Sequence, residues 1–302
     1  MTTPMEILFA ILSAMLFGLV TVVDKRLISK VMPNFNSFCF AVGISLTSFS
    51  LITVLIFKVN FNFDIYLLSA VFSGFCWGGS LGVMFYAYRI EEASRVTALT
   101  HTFPVLVAIL AVIFLKESLS FLQVTAICVV VVGAYVTSIQ NPSRGNFFKL
   151  NKALPILIFS SLLLAVAHIT SKYALEGQPL PSVYVYRNIG MAVALFSLCK
   201  PRHAKDLFVT LIKDRGSLCL ILLSEFLLAP VAVILNVVAT SMGPVTIVST
   251  VTASRPLFVF IFVTIFSIPS IGFLDEKLDR RVLTVKALAI AGITSGIVLL
   301  SI

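Results

Sequence analysis

Few ionisable side chains fall inside the apolar runs of this 302-residue chain: His101, His168, Arg187, Glu225 and Arg255. An Arg at the centre of a lipid-embedded helix costs ~2.5–3.5 kcal/mol on insertion scales, so each is a candidate binding or relay group. The bland reading of each is an interhelical hydrogen bond or a snorkelling side chain. Arg255 and Glu225 fall near the middle of adjacent antiparallel runs. They are expected to neutralise each other when the site is empty, and to part when an anionic solute group takes Arg255 and Glu225 takes up a proton. His101, between Thr100 and Thr102, is a second candidate for proton coupling. Trp77, the only Trp, shares a run with Tyr86 and Tyr88 and is expected to stack on a solute or fill the core. The expected substrate-binding set is Arg255, Glu225, His101, Trp77, Tyr86, Thr100 and Thr252. Pro104 and Pro256 interrupt two runs at matching depth and are the expected hinges. Each frees a carbonyl one turn earlier, which Thr100, Thr252 or a solute can satisfy.

No enzyme signature accompanies these residues. The chain has no P-loop, HExxH, GxSxG or Gly-rich dinucleotide turn, so ATP hydrolysis and redox chemistry have no residues to run them. Cys39, Cys76, Cys128, Cys199 and Cys219 are odd in number and form no CxxC pair, so they read as small hydrophobes. No catalytic residue, metal site or cofactor is expected.

The elements that must position these groups follow from composition. The chain is 59% apolar and 12% charged, against ~25% charged in a soluble domain. About 20 apolar residues cross a ~30 Å hydrocarbon core. Ten runs satisfy this, roughly 7–31, 35–57, 65–89, 93–115, 121–139, 153–175, 181–198, 217–241, 244–268 and 282–302. The longest polar stretch, Lys200 to Gly216, has room for a loop plus at most a surface helix. The start, MTTPMEILFAILSAMLFGL, lacks the basic opening of a secretory signal and reads as a first span. The net charge of +9 sits at the ends of apolar runs, which is the mark of membrane topology and not of nucleic-acid binding. Gly74, Gly78 and Gly82 form overlapping GxxxG spacings, and Gly292 with Gly296 forms another; close helix packing is their expected role.

The chain also repeats itself. A shift of 152 pairs Ala87 with Ala239, Thr100 with Thr252, Pro104 with Pro256 and Phe114 with Phe266. A shift of 159 then pairs Glu117, Leu119, Thr125 and Gly133 with Glu276, Leu278, Thr284 and Gly292. The expected fold is therefore an all-α membrane protein of ten transmembrane helices, a 5+5 inverted repeat dividing at residues 1–145 and 146–302. A five-span repeat must place its second copy upside down, the plan that many secondary transporters use for alternating access.

The stretch EEASRVTALTHTFPVLVAILAVIFLKESLSFLQVTAICVVVVGAYV, echoed by residues 243–300, resembles the paired EamA domains of the drug/metabolite transporter superfamily. In that family Leu-Gly-Glu opens the fifth and tenth helices; here Leu115-Lys116-Glu117 and Leu274-Asp275-Glu276 lack the Gly. A Lys often stands where Lys25 and Lys172 stand, so the resemblance implies a gate or an anionic-substrate contact there, beside the plain reading of interfacial anchors. It also implies a cavity between the halves, lined by the first, third, fourth, sixth, eighth and ninth helices. The reading is a non-enzymatic secondary transporter of a small polar, amino-acid-like solute, proton-coupled or exchanging, in a prokaryotic inner membrane. Expected partners are the small-molecule substrate and membrane lipid, with a homodimer left open. The rivals are a nucleotide-sugar or phosphate-metabolite antiporter of the same superfamily and, from another class, a membrane scaffold or intramembrane enzyme. Orientation stays open as well. Most Lys and Arg follow odd-numbered spans, which puts both termini outside, whereas the resembled family keeps both inside.

Overall fold

The computed structural model describes residues 4–59, 63–90, 96–97, 100–137 and 153–267, with 292 and 296. In chain order the helices are α1 (Pro4–Arg26), α2 (Phe35–Phe57), α3 (Ile65–Ile90), α4 (Phe103–Phe114), α5 (Phe121–Thr137), α6 (Ala153–Gly177), α7 (Leu180–Ser197), α8 (Pro201–Lys213), α9 (Arg215–Leu223), α10 (Ala229–Met242), α11 (Val245–Thr252) and α12 (Arg255–Phe266). Short π-helical turns, Leu27–Val31 and Ser224–Leu228, extend α1 and join α9 to α10. No strand occurs among the described residues. In a medium without water only a helix satisfies its own backbone polar groups locally, and long apolar runs therefore become helices.

Among the described residues, six helical segments are long and apolar enough to cross a membrane: Pro4–Val31, Phe35–Phe57, Ile65–Arg89, Pro155–Gly177, Arg215–Met242 and Val245–Phe266. Leu180–Ser197 reaches that length only together with α8, which turns away from it by 99°. Phe103–Phe114 and Phe121–Gly133 are shorter apolar helices. The expected tenth span, 282–302, and the midpoint connection lie outside the described residues, apart from 292 and 296. Polarity is inverted relative to a soluble fold. Leu55, Ile56, Phe57, Ile113 and Phe114 are exposed, whereas Ser13, Thr21, Ser45, Ser73, Ser80 and Ser160 are buried. A soluble monomer does not expose apolar surface on this scale, and lipid tails accept it.

Local chemistry sets the breaks. Asn34 caps α2 by accepting the Ser37 amide at 2.8 Å. Pro230 has no N–H and would crowd the carbonyl four residues back, and just before it the backbone widens into the π turn, with the Ala229 amide bonded to the Ser224 carbonyl. The two expected hinge prolines stand at equivalent breaks. His101 and Thr102 form a turn before α4, Ala253 and Ser254 form one before α12, and Pro104 and Pro256 follow as second residues of the new helices. The carbonyl freed by Pro104 belongs to Thr100 and accepts the Ser161 hydroxyl at 2.9 Å. The expected role of the threonine hydroxyls is thus corrected, because Thr252 bonds within its own helix to the Val248 carbonyl at 2.6 Å, and a hydroxyl on neighbouring α6 reaches the freed carbonyl instead.

The two parts of the chain make matching contacts. Lys25, at the end of α1, donates to the Tyr88 carbonyl at 2.5 Å near the end of α3. Lys172, on α6, donates to the carbonyls of Thr240 at 3.0 Å and Gly243 at 2.7 Å at the end of α10. Thr240 is the residue that the shift of 152 pairs with Tyr88. The same correspondence relates two crossed hydrogen bonds. The Ser13 hydroxyl on α1 donates to the Ala232 carbonyl on α10 at 2.8 Å, and the Ser160 hydroxyl on α6 donates to the Ser80 carbonyl on α3 at 3.3 Å. α3 packs along α6 and α7, while α1 packs along α10, α11 and α12.

The Leu-x-Glu motif also acquires a structural reason. Lys116 adopts φ 53°, the left-handed conformation that a glycine takes without steric cost. The next residue, Glu117, spans the first turn of α11, accepting the Val245 amide at 2.8 Å, the Thr246 amide at 3.3 Å and the Thr246 hydroxyl at 2.6 Å. A carboxylate on the free amides of a helix start is stabilised by both the hydrogen bonds and the helix dipole. The second copy of the motif, around Glu276, lies outside the described residues.

Candidate functional site: a charged cavity among α1, α3 and α10

A cavity of about 40 Å³ lies among α1, α2, α3, α7, the π turn, α10 and α12. Most of its wall is apolar, including Phe17, Leu46, Phe85, Met191 and Val233, with Trp77 on one side. Three ionisable groups interrupt that wall: Asp24, Glu225 and Arg255. The volume holds about three waters, so an organic solute enters only if the helices part.

Asp24 is the group that sequence reasoning missed. It sits beside Lys25 and Arg26, in a segment read as the end of the first span. The π turn carries the helical segment on to Val31, which leaves Asp24 a full two turns inside and 3% exposed. Glu225 is equally buried and lies in the second π turn, where Ser45 donates to its backbone carbonyl. A π turn inside a transmembrane helix is the one local signal that flags both residues, and it is a backbone feature with no reliable sequence mark.

The Ser224 hydroxyl joins the two carboxyl groups. Its Oγ lies 2.9 Å from Asp24 Oδ1 and 2.8 Å from Glu225 Oε1. A hydroxyl has one hydrogen, and an ionised carboxylate has none to give. Both contacts are therefore full hydrogen bonds only when one carboxyl group carries a proton. Two ionised carboxylates so close, away from water, would repel strongly, which favours the same singly protonated state.

Arg255 does not pair directly with Glu225. Its Nε donates to Thr21 Oγ1 at 2.9 Å, Nη2 reaches the same oxygen, and the guanidinium lies 5.0 Å from the centre of the Phe17 ring. The expected Arg255–Glu225 ion pair is thus corrected to two separate anchors, Thr21 for the cation and Ser224 for the acid. Arg255 keeps N–H groups beyond those held by Thr21, and it lines the cavity wall.

The remaining expected site residues divide. Trp77 lines the cavity, as do Glu225 and Arg255. His101 is buried outside that lining, with Nδ1 2.7 Å from the Thr97 carbonyl and its ring edge-on to Phe103. Thr100 and Thr252 are buried beside the proline breaks and do not line the cavity. Tyr86 is 44% exposed and packs edge-on against Phe35, away from the cavity. Lys25 and Lys172 hold helix ends, as described above. Among the described residues no group of His, Cys, Asp and Glu is arranged to hold a metal ion.

This fold, with its lipid-compatible surface and buried polar interior, defines a multi-pass integral membrane protein. Residues 4–139 match the EamA-like transporter family, the family whose paired domains the sequence resembles. No curated protein matches the chain significantly in sequence. A solved crystal structure of a protein superposes on 97% of this chain and 94% of its own with a TM-score of 0.68 at 13% identity, a likeness of fold alone.

Proposed function

We propose that this protein is a secondary transporter for a small, amino-acid-like solute bearing both charges and an apolar body, working by alternating access between two inverted five-helix repeats, residues 1–145 and 146–302. The observation that carries the reading is the cavity itself, which sets one guanidinium and one carboxyl pair in an otherwise apolar wall. Arg255 suits a solute carboxylate, the Asp24–Glu225 pair suits an ammonium group, and Phe17, Trp77 and Phe85 suit an apolar side chain. The crossed bonds from Ser13 and Ser160 support the repeat, since they obey the residue correspondence read from the sequence. The breaks before Pro104 and Pro256 give each repeat a point at which to bend. An exchanger of phosphorylated solutes needs clustered cations; this cavity has one cation facing two acids, which favours the zwitterion.

The shared proton supplies the coupling. An arriving ammonium group displaces it from the carboxyl pair, so solute and proton occupy the site alternately. In sealed vesicles containing the purified protein, net solute uptake should be accompanied by proton movement in the opposite sense. Glu225→Gln and Asp24→Asn should each remove the pH dependence of uptake. Uptake by both variants with the pH profile of the native protein would leave the transporter reading intact and eliminate the carboxyl pair as its coupling group. No uptake of any zwitterionic solute above empty vesicles would sink the substrate class.

A further inference from the structure

Behind Trp77 lies a second cation with no counter-ion among the described residues. Arg187 on α7 is 1% exposed, and its Nε and Nη2 have no hydrogen-bond partner. Its guanidinium carbon lies 4.0 Å from the centre of the Trp77 ring. His168 on α6 packs against the same indole, with ring centres 5.0 Å apart, and stacks on Phe103 at 5.0 Å with a 7° interplanar angle. His168 Nε2 is likewise buried without a partner. Among the described residues no carboxylate pairs with Arg187. The indole face offsets part of the burial of this charge, but an aromatic quadrupole is not a counter-charge and accepts no in-plane N–H. A guanidinium with open N–H groups, deep in a membrane protein, is stable there in the presence of something anionic.

We infer that Arg187 and His168 form an anion-binding subsite walled from the cavity by Trp77. The open guanidinium nitrogens Nε and Nη2 and, in the tautomer that carries its hydrogen there, the imidazole Nε2 are donors that suit a compact, singly charged anion. That anion is either a free halide or the carboxylate end of a solute. Trp77 and Met191 line the main cavity, and Met191 lies one turn beyond Arg187 on α7. The subsite is therefore one side chain away from the solute, and an anion in it would neutralise Arg187, whereas the Asp24, Glu225 and Arg255 cluster balances itself with one proton.

The sole tryptophan makes the site directly observable. Trp77 emission of the purified full-length protein in detergent would be followed while chloride, iodide or acetate replaces a bulky anion at constant ionic strength. The expected result is a saturable change, lost in Arg187→Gln and retained in Arg255→Gln. Saturation by halides alone identifies a free halide as the occupant; saturation by acetate, in competition with chloride, identifies a solute carboxylate. A purely linear collisional response, or a saturable one unaltered by Arg187→Gln, would overturn the inference. If Arg187→Gln does not fold, Arg187→Lys and His168→Ala decide the matter. Either should shift the midpoint, and an unchanged midpoint in both would overturn the subsite.

Discussion

A Cβ on Gly74 would stand 1.8 Å from the backbone carbonyl oxygen of Arg187. The reciprocal contact is nearly as close, since a Cβ on Gly190 would stand 2.0 Å from the Val71 carbonyl oxygen. α3 and α7 thus meet backbone to backbone, as the small-residue spacing on α3 anticipates. The obstructing atoms belong to the main chain and cannot rotate away. Gly74→Ala should lose about 1–3 kcal/mol, as other overpacking substitutions do. Gly79→Ala, whose Cβ would meet only Leu163 Cδ1 at 3.4 Å, should be tolerated. Thermal unfolding in detergent checks both, and equal midpoints for the two variants would refute the contact.

Lys25 and Lys172 each place an ammonium group on carbonyls at a helix end. Charge-assisted hydrogen bonds of this type contribute ~1.5–3 kcal/mol. Lys25→Met and Lys172→Met should therefore both be destabilised by an amount of that order, and by similar amounts. A loss confined to one of them would show that the correspondence is geometric only. Transport by the two variants, compared in vesicles of known orientation, would add the functional half of the comparison.

Lys116 holds a positive φ that costs a side chain ~1–2 kcal/mol. Lys116→Gly should raise stability by about 1 kcal/mol, with Glu117 still seated on α11. Glu117→Gln should lower it by a comparable amount through weaker bonding to Val245 and Thr246. Urea titration of the solubilised protein reads both signs, and a destabilised Lys116→Gly would contradict the backbone geometry.

Orientation follows from charge at α8. Lys205 is exposed on that helix, near Arg202 and Lys213. The positive-inside rule places α8 on the cytoplasmic side. A Lys205→Cys variant lacking the native cysteines should react with an impermeant maleimide only after permeabilisation. Ready reaction in intact cells would give the opposite orientation.

Asp214 caps α9, accepting the Gly216 amide at 3.0 Å and the Ser217 hydroxyl. The Ser217 hydroxyl first, then the Gly216 amide, hold its carboxyl below the ordinary value of 3.8. Its contribution to stability is thus present above the unfolded-state value and lost as pH falls through the lower folded-state value. The difference in melting temperature between native protein and Asp214→Ala should persist at neutral pH and close in strong acid. A difference that widened on acidification would reverse the assignment.

The helical, membrane-spanning character of the fold was legible in the sequence because lipid imposes one rule, that apolar runs become helices, and prolines mark their breaks. Pro104 and Pro256 reported two breaks at equivalent points, and Glu225, Arg255 and Trp77 reported the cavity. Asp24 escaped although the first apolar run reaches residue 31, because Lys25 and Arg26 beside it imitate a helix end and hide the depth of its own side chain. The Arg255–Glu225 pairing failed for a different reason. Axial depth estimated from span boundaries does not say which hydroxyl stands nearest, and Thr21 and Ser224 took the two partners' places. Tyr86 shows the limit of listing aromatics on one helix, since helical rotation turns it outward while Trp77 turns in.

The single hydrogen on Ser224 also has an electrical meaning. With one carboxyl protonated, Asp24, Glu225 and Arg255 sum to zero, so reorientation of the empty cavity feels no membrane voltage through these groups. With both carboxyls ionised the sum is one negative charge, and each 100 mV would bias that step by about 2.3 kcal/mol. In the proposed cycle the proton thus removes the net charge of these three side chains from the empty cavity, and a solute that displaces it restores one negative charge there.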